Sequence, residues 1–159
     1  MAKLKGFDIV SLPETYVAGL AFRTKNELEM DPATGWIAKT WARVREMKNP
    51  NLPAAVLTDY ESNKDGYFTE VVGFQRKSVS DFNPGEVLAR VPSGRYAKFV
   101  RTGKLPDSVI ETWKAVWDAE ANGSIRRAYT TDLKTYRPTG KAQLGLDNAT
   151  VELYIAIKS

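Results

Sequence analysis

One arrangement of elements runs through this chain twice, and the second pass reuses letters of the first. Phe22-Arg23-Thr24 precedes the first helical stretch and Val100-Arg101-Thr102 the second. Thr40-Trp41-Ala42-Arg43-Val44 returns as Thr112-Trp113-Lys114-Ala115-Val116, and Thr58-Asp59-Tyr60 as Thr131-Asp132-Leu133. Thr69-Glu70-Val71 resembles Val151-Glu152-Leu153. Each match is short, but all four fall in the same order at corresponding places, which marks a duplicated unit. About 75 residues per half would make a marginal core alone. The expectation is therefore one domain over residues 1–159, with pseudo-repeats at about 6–77 and 86–158.

Periodicity fills in the unit. Alternation over 7–12 and 15–24 predicts two strands about the turn Leu12-Pro13-Glu14. Asp31-Pro32 reads as a helix start, N-cap then N1, for a helix to about Lys48 with Ile37, Trp41, Val44 and Met47 as its apolar stripe. Asn49-Pro50 stops it, and strands follow at 54–61 and 66–76 around the hairpin segment Ser62–Gly66. After a polar linker, Ser78–Gly85, strands are expected at 86–91 and 95–102 about the turn Pro92-Ser93-Gly94. A helix then runs from near Pro106, through a capping-box pattern at Ser108–Glu111, to Asn122-Gly123, and strands at 128–137 and 149–158 close the chain. Two β-β-α-β-β units make an α+β fold: an antiparallel sheet with two helices on one face and a cleft between them.

Residue usage narrows the chemistry. Cysteine and histidine are both absent, which removes thiolate nucleophiles, disulfides, imidazole bases and most transition-metal sites. The sequence holds no phosphate-cradling Gly-rich motif, so no cofactor and no metal are expected. The net charge of +4 is mild and spread along the chain, with Arg126-Arg127 the densest basic spot. It reads as a solvated basic surface rather than a nucleic-acid patch, so direct nucleic-acid binding is not expected. No apolar run approaches a membrane span and no export signal follows the amino terminus, so a cytoplasmic protein without membrane contact is expected.

The most informative strand is Tyr67–Phe74. Period two puts Phe68, Glu70, Val72 and Phe74 on one face, so a carboxylate stands among apolar neighbours. Such a group is protonated, paired with a Lys or Arg, or reserved for a cationic ligand. All four tryptophans (Trp36, Trp41, Trp113 and Trp117) lie on the two helical stretches, and aromatic faces attract organic cations. Trp41 and Trp113 hold equivalent places in the repeat and read as core. Asp132, Lys134 and Tyr136 share another strand face, either a third candidate or a solvated charged face. The candidate ligand set is Glu70 with Trp36, Trp113 and Trp117 from the helices, and Tyr60, Phe68, Tyr136 and Tyr154 from strands.

The segments Phe7–Val10, Val17–Leu20, Val91–Tyr96 and Val151–Ile155 together resemble the gyrase-inhibitor-like effector-binding domain of multidrug regulators. Arg23–Glu27, Thr58–Ser62 and Gly66–Gly73 are similar to its integron-cassette-associated branch. The resemblance covers essentially the whole chain. It implies the same tandem fold and the binding of cationic, lipophilic, drug-like molecules by aromatics around a buried Glu. Relatives fused to a DNA-binding domain regulate transcription. Here the first strand begins near Phe7, so a module standing alone is expected, with a DNA-binding regulator or gyrase as the protein partner to consider. Many relatives carry Glu-x-Tyr on the seventh strand, where this chain reads Lys134-Thr135-Tyr136, which leaves Glu70 as the expected anchor. Two rival functions follow from the same resemblance: a hydrolase of small strained electrophiles using that Glu, and a protein-binding inhibitor of gyrase.

Overall fold

The computed structural model describes residues 6–138 and 148–158. The first half comprises β1 (Asp8–Leu12), β2 (Thr15–Thr24), α1 (Asn26–Glu29), α2 (Ile37–Val44), β3 (Pro53–Thr58) and β4 (Phe68–Arg76). The second comprises β5 (Val87–Val91), β6 (Gly94–Lys104), α3 (Asp107–Ala121), β7 (Thr131–Pro138) and β8 (Asn148–Ala156). All eight strands join one antiparallel sheet in the order β1-β6-β8-β7-β3-β4-β2-β5. If each strand is exchanged for its counterpart in the other half, the order reads the same from the opposite edge. The opening strand of each half crosses over, β1 onto β6 and β5 onto β2. Each half thus completes the other's sheet.

Both longer helices lie on one face. α2 packs on β4 and β2, and α3 packs on β6 and β8. Beneath α2, Val44, Ala55, Val72 and Phe74 are buried, and beneath α3, Phe99, Val116, Leu153 and Ile155. Each of these side chains larger than Ala55 contributes about 1.5–3 kcal/mol by leaving water. The central strands β3 and β7 lie between the strands on which the two helices mainly pack, and the site is built over them. The alternate residues (Val17, Val56, Val71, Val91 and Leu133) form a second core on the opposite face, where β5 lies against β7 and the sheet curls on itself. The curl needs a close approach at the paired glycines Gly19 and Gly73. A Cβ on Gly73 would stand 1.9 Å from the carbonyl oxygen of Ala18, so only glycine fits.

Several expected boundaries move for local reasons. The helix expected from Asp31 to Lys48 is shorter, α2 over Ile37–Val44, and the separate short helix α1 ends at Glu29, before Asp31. Asp31 Oδ1 accepts from Ala33 N at 2.9 Å, closing a turn instead of starting a helix. The α2 amino terminus is capped from outside by the Glu29 carboxylate, which accepts from Trp36 N at 2.9 Å and Ile37 N at 3.0 Å. The capping box at Ser108 does not form, because α3 already begins at Asp107 and the Ser108 hydroxyl is buried without a partner. β3 ends at Thr58 because Asp59 turns the chain with φ 50. β7 begins at Thr131, after Tyr129 makes a similar turn with φ 54.

The letter match of Glu70 to Glu152 does not survive the register. Glu70 pairs across β3 with Leu57 on the helix-bearing face. Glu152 opposes Thr135 and points to the other face, where it accepts from Thr135 Oγ1 at 2.9 Å and Arg137 Nε at 2.8 Å.

Candidate functional site

The gap between α2 and α3 is a cavity of about 1180 Å³ floored by β3, β4 and β7. Trp41 is one wall; it joins the cores under both helices and meets the Tyr136 ring edge-on, centroids 4.9 Å apart. Trp113 and Trp117, one turn apart on α3, make the other wall, with centroids 6.4 Å apart. Leu57, Phe68 and Phe74 supply apolar floor.

Two charge pairs lie in this floor, both out of water. Glu70 is fully buried, and its Oε2 accepts from Lys134 Nζ at 3.4 Å. Lys134 projects from β7 beside Ala55, its partner on β3, whose methyl leaves room for the lysine stem. Burial pushes the Glu70 carboxyl above its usual range, although Lys134 acts to lower it. Burial opposes charge on Lys134, but Glu70 and Tyr136 beside it together outweigh this and hold the ammonium charged. At the far end, Arg127 Nη2 donates to Asp132 Oδ2 at 2.9 Å, and Tyr60 donates to the same oxygen at 2.6 Å. Asp132 Oδ1 accepts Ala156 N at 2.8 Å. The Arg127 guanidinium stacks 4.3 Å from the Tyr129 ring centroid, with Tyr60 and Trp113 also around it. Two bulky non-glycine turns, Asp59 and Tyr129, sit at this end in left-handed backbone, which the surrounding packing must hold in place.

Among the described residues, four buried polar atoms on cleft residues have no hydrogen-bond partner: Trp41 Nε1, Trp117 Nε1, Arg127 Nε and Glu70 Oε1. Buried polar groups are nearly always satisfied, so these atoms are hydrogen-bonding capacity that the described residues leave unused.

The family model for integron-associated effector-binding proteins (Cass2) matches residues 8–157. The chain belongs to this effector-binding family. It is 31% identical over 152 residues to YobU of Bacillus subtilis (strain 168), a protein named as a transcriptional regulator, covering 89% of this chain and 91% of that one. The integron cassette protein VCH_CASS2, from the mobile metagenome of Vibrio cholerae, superposes with a TM-score of 0.80 at 30% identity over 96% of each chain. The fold extends to SAV2435, solved with tetraphenylphosphonium bound, with a TM-score of 0.65 at 11% identity over 94% of this chain and 93% of that one.

Of the effector-site residues expected from sequence, Glu70, Tyr60, Phe68, Trp113, Trp117 and Tyr136 all line the cleft. Trp36 does not. It is 52% exposed and borders a smaller neighbouring depression with Phe22, Arg23 and Arg43, because the turn before α2 swings it off the cleft face. Tyr154 does not either: it alternates with Leu153 and falls in the core of the opposite face. Trp41, read as core, is a cleft wall. The Asp132–Tyr136 face is not solvated, since Asp132, Lys134 and Tyr136 are all buried. Arg127, read as surface charge, is buried against Asp132. Its place was not readable in sequence, because Arg126 and Arg127 look alike until the chain is folded. Among the described residues no group of acidic side chains could hold a metal, and no helix is long and apolar enough to cross a membrane.

Proposed function

We propose that this chain is an effector receptor, binding a bulky aromatic organic molecule in the cleft between α2 and α3. The observation that carries this is the cavity of about 1180 Å³ with tryptophan on both walls and orphaned polar atoms around it. Drug-sized ligands occupy clefts of about 300–1,000 Å³ that are mostly apolar with a few polar groups fixing orientation. The proposed ligand-binding residues are Glu70, Tyr60, Phe68, Trp41, Trp113, Trp117 and Tyr136. Flat aromatic surface would slide between Trp41 and Trp113, where offset stacking adds about 0.5–1.5 kcal/mol per pair.

An organic cation is the ligand type expected from sequence, and that expectation rests on Glu70, whose Oε2 is taken by Lys134 and whose Oε1 has no hydrogen-bond partner among the described residues. The tetraphenylphosphonium bound by SAV2435 is such a molecule.

The test is titration of tryptophan fluorescence with a panel of aromatic dyes. Saturable quenching is expected, and Trp113→Ala weakens it at least tenfold while circular dichroism stays unchanged. Unsaturable quenching, or equal affinity in Trp113→Ala, overturns the reading.

A further inference from the structure

The cleft already contains its own cation. Lys134 sits 2% exposed in the floor and occupies Glu70, the carboxylate that an organic cation would need. An incoming cation therefore meets a neutralised pair and must displace a buried ammonium that has nowhere wet to go. The remaining charge around the cleft has the same sign. Its lining includes seven basic residues and two acidic ones, Glu29 and Glu70. Glu29 is engaged in capping α2 and Asp132 in holding Arg127, so neither is available. Around the mouth, Lys39, Arg45, Lys48 and Lys114 make no ion pair among the described residues. A cleft lined by one sign of charge between low-dielectric walls concentrates ligands of the opposite sign.

Hydrogen-bond supply points the same way. Three of the four orphaned atoms on the cleft are donors: the two indole N–H groups and Arg127 Nε–H. Lys134 adds to them, since an ammonium has three N–H donors and Glu70, at 3.4 Å, and the Tyr136 hydroxyl engage only two of them. The ligand that satisfies this set brings several acceptor oxygens and one donor, the donor for Glu70 Oε1. An aromatic acid that also carries a hydroxyl has that inventory; a quaternary or phosphonium cation has none of it.

We propose that the effector of this cleft is an aromatic molecule bearing an anionic oxygen group, and that Lys134 is the residue setting that preference. This rests on the cleft being an effector site at all. The two claims separate in one experiment on a shared xanthene scaffold: fluorescein, a carboxylate-bearing anion, against rhodamine 6G, a cation. Fluorescence anisotropy of each dye is followed as the purified chain is added at fixed ionic strength.

Fluorescein is expected to bind at least tenfold more tightly. Lys134→Met should remove at least tenfold of that affinity and leave rhodamine 6G equal or tighter, while Lys134→Arg should keep most of it. Because Lys134→Met leaves Glu70 buried without its partner, circular dichroism checks that it folds, and the double variant Lys39→Gln/Lys114→Gln at the mouth gives a second reading. It should weaken fluorescein severalfold and spare rhodamine 6G. Tighter binding of rhodamine 6G, or fluorescein affinity indifferent to both sets of variants, overturns the inference and leaves the receptor standing. Absence of saturable binding by either dye overturns both.

Discussion

Lys134 Nζ lies 3.4 Å from Glu70 Oε2, and both side chains are closed off from solvent on strands separated only by β3. A buried pair of this kind is costly to break from one side, because the survivor stays charged in an apolar place or must change its protonation. Lys134→Met should destabilise the protein by about 3–5 kcal/mol. Glu70→Leu with Lys134→Met removes both charges and should recover most of that loss. Urea unfolding of wild type, both single variants and the double variant closes the cycle. A double variant as unstable as the sum of the singles would show that the two residues do not act as a pair.

Tyr60 holds the other buried charge pair in place. Its hydroxyl donates 2.6 Å to Asp132 Oδ2, the oxygen that also takes Arg127. Tyr60→Phe keeps the ring that packs on Phe68 and Tyr129 and removes the hydroxyl, both this donor and the acceptor that Arg127 Nη2 reaches at 3.3 Å. A hydrogen bond to a charged group contributes about 1.5–3 kcal/mol. A loss of that order in thermal or urea unfolding is expected, and unchanged stability would mean that Asp132 is held well enough by Arg127 and the Ala156 amide alone.

Glu29 reaches across a turn to make α2 possible. Its carboxylate accepts from Trp36 N, Ile37 N and Thr24 Oγ1. Glu29→Ala strips that cap, and cap losses amount to about 0.5–2 kcal/mol. Since α2 carries the Trp41 wall, dye affinity should fall with stability. Hydrogen exchange localised to residues 36–44 is the measurement; uniform exchange across the sheet would refute a local role.

Acid sensitivity should concentrate at Glu152. Burial opposes its ionisation, but hydrogen bonds from Arg137, Thr135 and Lys98 together outweigh burial and hold the carboxyl below its ordinary value of 4.5. A carboxyl with a lowered folded-state value binds protons less readily in the fold than in the unfolded chain. Its stabilisation is therefore present above about pH 4.5 and is lost as the pH falls through the lower folded value. Glu152→Gln should flatten the stability curve in that acidic window and leave its shape near neutrality unchanged, read from unfolding midpoints between pH 3 and 7.

The alternation of Phe68, Glu70, Val72 and Phe74, the apolar stripe through Trp41 and the repeated Thr-Trp pattern made much of the architecture readable, because strand and helix periods are local properties of the chain. They gave the antiparallel α+β sheet, the helix faces and six of the eight expected cleft residues. The misplacements at Trp36 and Tyr154 have one kind of cause. A turn closed by Asp31 swung Trp36 aside, and the register of β8 set which of Leu153 and Tyr154 faces the helices. Pattern alone assigned Asp132–Tyr136 two readings, since a charged alternating strand looks the same whether its face meets water or a helix-walled cleft.

The sequence by itself determined that an acidic group would stand among apolar neighbours at position 70 and that aromatics would line the helices. Only the tertiary structure decided what that acid faces. Lys134 is 64 residues away along the chain and reaches Glu70 because β7 and β4 flank β3 in the centre of the sheet. No local preference encodes that meeting. It follows from the crossing of two halves, each too small to bury its own core, and it places a positive charge beside Glu70 in the floor of the cleft.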